Sequence, residues 1–239
     1  CLADDMGLGK TLQALAIIVQ RANKGPTLVL APTSVSFNWQ NEANKFSPTM
    51  NVKLYGMHNQ KERQNILDNA QAFDLIICSY GLLQTQGEKL AKVHWQTLVA
   101  DEAQALKNPQ TKRSKVANTL MADFRMITTG TPIENNLTEL WSLFQFVIYM
   151  YNGICNLNYC FVKPIESASF NNGQSQVNKL SDNENTIRKN EANEALRKII
   201  APFMLRRLKT DVLTELPSRT EVNIHVELSK EEMALYEAI

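Results

Sequence analysis

A glycine-rich stretch near the start of the chain has the residue types that bind phosphate. Residues 4–11 read DDMGLGKT. Gly7 and Gly9 let the backbone turn so that successive N–H groups face an anion. Lys10 supplies a positive charge for phosphates, and Thr11 offers a hydroxyl to magnesium. The strict pattern GxxxxGK[ST] has glycine where this chain has Asp4, so an ordinary structural turn stays an alternative for this motif alone.

Two adjacent carboxylates follow an apolar run later in the chain. Asp101 and Glu102 come directly after the residues LVA at 98–100. Phosphoryl transfer needs charge neutralisation and a positioned nucleophile. Asp101 suits the binding of magnesium through water, and Glu102 suits the activation of the attacking water. A solvated acidic pair at a strand end is the alternative, but together with the glycine-rich loop the pair predicts a site that hydrolyses a nucleoside triphosphate.

A third segment, TTGTP at 128–132, also follows an apolar run. Small hydroxyl residues and glycine can link a nucleotide site to a ligand bound across the top of a sheet. The same letters also suit an ordinary turn. The segment is therefore a candidate for linking the site to a second ligand.

Four nearly continuous apolar runs, at 27–31, 74–78, 97–100 and 125–128, predict the strands that position these residues. Continuous runs are typical of strands covered on both faces, as in a parallel sheet. Helical spacing occupies 11–24, 34–45 and, divided by Pro202, 191–208, and Asn108-Pro109 predicts another helix start. This alternation predicts a doubly wound α/β fold with ligands at the carboxyl ends of its strands. The apolar faces of the first two helices are predicted to consist of Leu12, Leu15, Ile18, Val19 and Ala22, and of Val35, Trp39, Ala43 and Phe46.

Composition narrows the class of protein. The 239 residues are 44% hydrophobic, which is enough for a large core. The 25 Lys and Arg against 24 Asp and Glu give a net charge of +1, so overall charge indicates neither a nucleic-acid nor a membrane partner. The four cysteines lack the CxxC spacing of zinc sites, and no apolar run approaches the ~20 residues that span a bilayer. We expect an intracellular protein with free thiols and no membrane segment.

Five motifs in a fixed order give the chain a specific resemblance. They are DDMGLGKT, LAPTSVSFNW, DEAQALKN, TGTPIENNLTELWSLFQF and PFMLRRLKTDV. In this order they resemble the SWI/SNF-type helicase-like ATPases of helicase superfamily two, strongly over residues 1–150 and again at 196–220. DEAQALKNP and LRRLKTD resemble the microbial branch of that family.

The resemblance implies a RecA-like P-loop domain with a mostly parallel sheet flanked by helices, plus a helical protrusion and a connector. The first RecA-like lobe is expected at 1–150 with its first strand reduced to residues 1–3, the protrusion at 151–205 with a polar insertion at 167–190, and the connector with the start of a second lobe at 206–239. In this family two lobes close on ATP and step along double-stranded DNA without separating its strands. An isolated first lobe is expected to hydrolyse ATP little or not at all.

By motif, the resemblance assigns ATP and magnesium binding to the first motif and hydrolysis to the third. The implied phosphate-binding residues are Gly7, Leu8, Gly9, Lys10 and Thr11. Thr11 and Asp101 are the implied metal ligands. Lys10, Asp101, Glu102 and Gln104 are the implied catalytic residues, with Gln104 at a place where many relatives have His. Gly130 and Thr131 match the motif that transmits nucleotide state to DNA.

The resemblance also implies contacts with the DNA backbone, which would be tolerant of sequence and sensitive to salt. The implied residues are Pro32, Thr33, Ser79, Tyr80, Lys107 and Asn108. Arg206 and Arg207 are expected either to contact DNA or to brace the lobes, although a basic pair at a helix end can also be a solvated cap. Trp39 and Trp141 lie on apolar helical stripes, so we predict that they are core residues and do not stack on bases.

Three functions remain open at this point. The first is the motor lobe of a double-stranded DNA translocase that uses ATP and magnesium and pairs with a second RecA-like lobe. The second is an RNA-dependent ATPase or strand-separating helicase, disfavoured because TGTPIENN replaces the expected SAT-like motif. The third is a non-catalytic nucleotide-binding module. A microbial protein of this kind is expected in the cytoplasm with the nucleoid, and a eukaryotic one in the nucleus.

Overall fold

The computed structural model describes residues 1–131, 137–148, 198, 200–213 and 215. The predicted polar insertion at 167–190 and most of the predicted protrusion lie outside the described residues, as does the side chain of Trp141. The chain divides into two compact units, Cys1–Leu208 and Lys209–Ile239. In the second unit, the described residues include a short helix, Lys209–Val212. The domain boundaries predicted from the sequence stay predictions.

A parallel sheet forms the centre of the first unit. Its strands are β1 (Thr27–Ala31), β2 (Asn51–Leu54), β3 (Asp74–Ser79), β5 (Thr97–Ala100) and β7 (Arg125–Ile127). They lie in the order β2-β3-β1-β5-β7, and every neighbouring pair is parallel. Two short strands, β4 (His94–Trp95) and β6 (Met121–Ala122), pair with each other. The sheet confirms the predicted α/β fold, and β2 is a strand that the sequence analysis missed.

Helices cover both faces of the sheet. They are α1 (Lys10–Arg21), α2 (Thr33–Phe46), α3 (Gln60–Asp68), α4 (Tyr80–Leu90), α5 (Lys112–Thr119) and α6 (Leu137–Ile148). Successive strand side chains point to opposite faces, so Leu28 and Leu30 enter one core and Val29 and Ala31 the other. The first core contains side chains of α3 to α6, and the second contains those of α1 and α2. Burial of every residue of β1, β5 and β7 explains their continuous apolar runs. Within the described ranges, no helix is long and apolar enough to cross a membrane.

The apolar faces of the first two helices are narrower than predicted. Leu15, Ile18, Ala22, Trp39 and Ala43 are buried as predicted. The prediction is wrong for Leu12, Val19 and Phe46, which are 45%, 38% and 49% exposed. Ala14 completes the buried stripe of α1 instead, and Phe46 is the last residue of α2. Helical spacing of apolar residues predicts too many buried positions where the neighbouring elements cover only part of the apolar face.

Two predicted helix boundaries are wrong. The helix expected from Asn108-Pro109 begins at Lys112, because Thr111 caps it by accepting from the Ser114 N–H while Asn108 closes a turn by accepting from the Gln110 N–H at 2.9 Å. The helix expected through 208 ends earlier. A 3₁₀ turn at Ala201–Phe203 contains Pro202, and the chain is extended from Met204. Leu205 then pairs with Leu2.

Candidate functional site

The glycine-rich loop has the backbone shape expected of a phosphate loop. Gly7 and Gly9 have φ of 87° and 73°, a left-handed region that strongly favours glycine. Gly9 is the N-cap of α1, without a side-chain cap. The space around Gly9 is open, with no atom within 4 Å of an added Cβ. The positive end of α1, whose first-turn N–H groups have no acceptors within the helix, therefore adjoins open space where an anion can bind.

The side chain of Lys10 lies on its own loop. Its Nζ donates to the carbonyl oxygens of Asp4 at 2.8 Å and Asp5 at 3.2 Å. These partners are neutral, so these contacts leave the ammonium charge available to a phosphate. Thr11 is half-buried in the first turn of α1, beside Lys10. The loop residues thus suit the binding of a magnesium-bound polyphosphate.

Asp4, which departs from the strict loop pattern, is fully buried and held by an arginine from the far end of the chain. Its carboxylate accepts from Arg207 Nε at 3.2 and 3.1 Å, from Arg207 Nη2 and from the Arg207 backbone N–H at 2.9 Å. Hydrogen bonds from the Arg207 side chain hold the pKa of the Asp4 carboxyl below its usual value, against the opposing effect of burial. Arg207 was predicted to contact DNA or brace the lobes, and the structure gives it a partner beside the phosphate loop.

Three side chains hold the acidic residue Asp101. It is 8% exposed, and its Oδ2 accepts from the indole N–H of Trp39 at 2.7 Å. Its Oδ1 accepts from the Thr128 hydroxyl. Its backbone carbonyl accepts from the Tyr80 hydroxyl at 2.7 Å. Burial, followed by the charges of Asp101 and Glu102, raises the pKa of Tyr80 well above its ordinary value, so the phenol stays a donor.

Trp39 is therefore a core residue, as predicted, with a polar function that the sequence analysis missed. The indole ring is fully buried. A buried tryptophan needs an acceptor for its one donor, and this requirement was the available signal. Nothing in the sequence pattern, however, indicated that the acceptor would be Asp101, 62 positions away.

Glu102 and the segment after β7 are joined by one glutamine. Glu102 has φ 47° and ψ 54°, so the chain turns sharply after β5. Gln104 donates to Glu102 Oε2 at 2.8 Å, and its Oε1 accepts from the Thr129 hydroxyl at 3.5 Å. Thr129 in turn accepts from the Thr131 N–H at 3.2 Å. The chain of contacts links two motifs predicted to communicate.

The glycine-rich loop and the acidic pair meet at one edge of the sheet. Leu2, which leads into the loop, pairs with Thr128, and Thr128 contacts Asp101 on its other side. Two strand spacings place Leu2 and Asp101 about 10 Å apart. Gly130 also lies against the loop, since an added Cβ there would come 3.2 Å from Met6 Cγ. The predicted phosphate, metal and coupling residues thus share one side of the molecule.

Part of the predicted DNA contact set lines an open groove at the same edge of the sheet. The groove has a volume of about 450 Å³, and its lining includes Thr33, Phe37, Met57, Arg63, Ser79 and Leu82. Pro32 is the N-cap of α2, and Ser79 is the N-cap of α4. Thr33 and Met57 are exposed. The N-termini of two helices therefore border this groove.

Other members of that set have different surroundings. Lys107 is buried with its ammonium 3.4 Å from Glu139 Oε2, and Tyr80 is buried against Asp101. Their burial argues against the predicted side-chain contacts with DNA. Asn108 and Arg206 are exposed, and Arg206 donates to the Ala3 carbonyl at 3.4 Å. For these two, contact with DNA stays a prediction.

Comparisons with known proteins agree with this geometry. A family model described as the SNF2-related domain matches residues 1–239. "Chromatin-remodeling ATPase INO80" of Arabidopsis thaliana is 38% identical over 251 residues, with 100% of this chain and 16% of that protein covered. "Putative ATP-dependent helicase/translocase YwqA" of Bacillus subtilis is 35% identical over 246 residues, with 100% and 25% covered.

A solved structure gives the same result. The "Sulfolobus solfataricus SWI2/SNF2 ATPase core in complex with dsDNA" has a TM-score of 0.69 and 35% identity, and the match covers 100% of this chain and 46% of that chain. This chain therefore spans less than half of the ATPase core and a quarter or less of the curated relatives named above. Since those two relatives are a plant and a bacterial protein, the predicted microbial branch stays a prediction. The chain belongs to the SNF2-related domain family, as the N-terminal lobe of an SWI/SNF-type helicase-like ATPase of helicase superfamily two.

Proposed function

We propose that this chain is the ATP-binding lobe of a motor that hydrolyses ATP to move along double-stranded DNA. The observation that carries the proposal is the row formed by Leu2, Thr128 and Asp101, which brings the glycine-rich loop and the acidic pair to one edge of one sheet. The likeness to an ATPase core solved with double-stranded DNA supports duplex DNA as the partner. Activity and partners are proposed for the whole protein of which this lobe is a part.

Each site residue takes a role that its position supports. Lys10 would bind the β and γ phosphates, and Thr11 and Asp101 would hold magnesium, directly and through water respectively. Magnesium supplies neutralisation of phosphate charge. Glu102 would orient the attacking water and accept its proton. A second lobe that contributes arginine side chains is worth roughly 10³ to 10⁵ in rate, so we propose that turnover requires one.

The groove would contact the phosphate backbone of DNA. Thr33, the first residue of α2, and Ser79, the N-cap of α4, line the groove, and helix N-termini stabilise phosphate. Such binding would be tolerant of sequence and would weaken with salt. Gln104 and Thr129 supply a direct path between the acidic pair and the coupling segment.

The test is steady-state ATP hydrolysis by the whole parent protein with and without duplex DNA. We expect duplex DNA to stimulate hydrolysis, Lys10→Ala to abolish it, and Lys24→Ala, a change at an exposed lysine, to leave it intact. A strand-displacement assay on the same protein should show no unwinding. Unwinding, or stimulation by RNA alone, would favour the helicase alternative. Cellular activity that survives Lys10→Ala would favour a non-catalytic module.

A further inference from the structure

The segment that carries Arg207 forms one wall of the phosphate loop. The Ala3 N–H donates to the Leu205 carbonyl at 2.7 Å, and the Asp5 N–H donates to the Arg207 carbonyl at 3.1 Å. Leu205 in turn donates to the Cys1 carbonyl at 2.9 Å. Residues 1–5 are therefore held between Thr128 on one side and residues 205–207 on the other. A stretch two hundred positions away fixes the path of the chain into the loop.

The side chain of Arg207 completes this wall. Asp4 is 0% exposed, whereas the Arg207 side chain is 42% exposed. A buried carboxylate is costly unless its oxygens are paired, and Arg207 supplies donors to both oxygens. The arginine thus keeps Asp4 inside while part of its own guanidinium remains in water.

Two contacts carry this arrangement to the groups that bind phosphate. The Asp4 carbonyl is the nearer of the two acceptors of Lys10 Nζ. Gln13 of α1 accepts from Arg207 Nη2 at 3.0 Å and donates to the Leu8 carbonyl at 2.9 Å. The arginine therefore reaches both ends of the loop through one intermediate residue each. Its position is also one residue from Leu208, where the first unit ends.

We infer that Arg207 is a positioning residue of the nucleotide site, which shapes the phosphate loop through Asp4 and Gln13, and that binding to DNA is not its main contribution. The inference rests on the proposed nucleotide site. It predicts that nucleotide binding, measured without DNA, depends on Arg207. Among the described residues, Arg206, the adjacent arginine, makes one hydrogen bond, to the Ala3 carbonyl at 3.4 Å, and it provides a matched control with the same change of charge.

The experiment measures the affinity of the whole parent protein for a fluorescent ATP analogue with magnesium, and separately its affinity for duplex DNA without nucleotide. Arg207→Ala should weaken nucleotide binding roughly tenfold, the scale found when a group that orients a ligand-binding residue is removed. Arg206→Ala should leave nucleotide binding within twofold of wild type. The affinity of Arg207→Ala for duplex DNA should stay within twofold of wild type. The slope of that affinity against salt concentration should match the wild-type slope.

A second variant covers the case in which loss of the arginine unfolds the protein. Arg207→Lys keeps the charge and loses the two-pronged geometry, so we expect a folded protein whose nucleotide affinity is still reduced at least threefold. The double variant Asp4→Asn/Arg207→Ala should bind nucleotide no more weakly than Arg207→Ala alone, because the two residues act as one unit. Wild-type nucleotide affinity in both Arg207 variants, with weakened DNA binding, would overturn the inference.

The failure of this inference can be told apart from failure of the proposed function. Stimulation of wild-type hydrolysis by duplex DNA tests the proposed function and involves no variant at position 207. If the wild-type protein binds nucleotide but duplex DNA does not stimulate its hydrolysis of ATP, the motor proposal is wrong. The effect of Arg207 on nucleotide affinity can still be measured in that case. A stimulated wild-type protein with unchanged nucleotide affinity in the Arg207 variants would sink only the inference.

Discussion

The two candidate functional regions at the carboxyl edge of the sheet, the proposed nucleotide side and the proposed DNA groove, are built in opposite ways. At the nucleotide side, the buried carboxylates of Asp4 and Asp101 each receive hydrogen bonds from side chains far away in sequence. At the groove side, the Ser79 hydroxyl accepts from the Leu82 N–H at 3.2 Å in its own helix, and it has no other hydrogen-bond partner among the described residues. Thr33 is exposed, and the groove is rimmed by Met57, which is 67% exposed.

The comparison shows where the stability of the fold depends on the same contacts that position the candidate site residues. A buried carboxylate held by side-chain donors cannot change without leaving donors or acceptors unpaired, which costs about 1–3 kcal/mol each. A residue at an open helix start can change with little effect on the fold. Variants at the nucleotide side should therefore alter catalysis and stability together, and variants at the groove should alter binding of a partner alone.

The largest effect should come from Glu102→Gln in the whole parent protein. The amide keeps the shape of the side chain and can still contact Gln104, but it cannot accept a proton from the attacking water. General-base groups contribute typically 10²- to 10⁴-fold, so we expect kcat of duplex-stimulated hydrolysis to fall by at least about 100-fold. ATP affinity should change less than threefold, measured by equilibrium binding. An unchanged kcat would remove Glu102 from the reaction.

A smaller effect is expected for Trp39→Phe, which deletes the indole N–H that holds Asp101. The buried Oδ2 loses its donor, so the free energy of unfolding should fall by about 1–3 kcal/mol. The magnesium concentration needed for half-maximal binding of ATP should rise about tenfold, as for other residues that orient a metal ligand. Urea unfolding and magnesium titration of nucleotide binding measure the two effects.

Trp95→Phe is the matched control for this change. Trp95 is also fully buried, and its indole N–H donates to the Leu90 carbonyl at 3.0 Å, away from the acidic pair. We expect a similar loss of stability without a change in magnesium dependence. Equal magnesium effects in the two variants would show that Trp39 acts only through packing.

A pH-dependent effect should distinguish Asp4 from a merely space-filling residue. Arg207 lowers the pKa of the Asp4 carboxyl below its usual 3.8. Since the unfolded chain binds the proton more tightly than the folded one, the charge stabilises the fold above pH 3.8, and this gain is lost as pH falls toward the lowered value. Asp4→Asn removes the charge while keeping the shape. Its cost in unfolding free energy, about 1 kcal/mol at pH 7, should shrink below pH 3.8 in urea titrations. A constant difference across that range would contradict an ionised Asp4.

The sequence was sufficient for the elements whose signals are local. Continuous apolar runs predicted four strands because both faces of β1, β3, β5 and β7 are covered. In the edge strand β2 only the last residue, Leu54, is buried, and Lys53 is polar, so its sequence lacks a continuous apolar run. The helix start at Lys112 was missed because Thr111 and Asn108 both suit caps, and only the folded chain shows which one is used.

The site was predictable in its residue types and not in its supporting contacts. DDMGLGKT and the acidic pair indicated the chemistry, since each motif is contiguous. Arg207 lies 203 positions from Asp4, and Trp39 lies 62 positions from Asp101. A pairing at that separation leaves no periodicity in one sequence. Lys107 follows the acidic box, and the resemblance implied that it contacts DNA, whereas it is buried with its ammonium 3.4 Å from Glu139 Oε2.

The smallest effect is expected at the groove, and it tests the other half of the comparison. Thr33 and Ser34 are consecutive exposed residues at the start of α2, but only Thr33 lines the groove. We expect Thr33→Ala to weaken duplex DNA binding two- to threefold, the loss of about 0.5 kcal/mol that one modest hydrogen bond to phosphate supplies. Ser34→Ala should bind DNA as wild type. Both variants should keep wild-type melting temperatures and nucleotide affinity, since neither side chain supports the loop or the acidic pair. If Thr33→Ala weakened nucleotide binding instead, the groove and the nucleotide side would form one coupled site, and the division between them would fail.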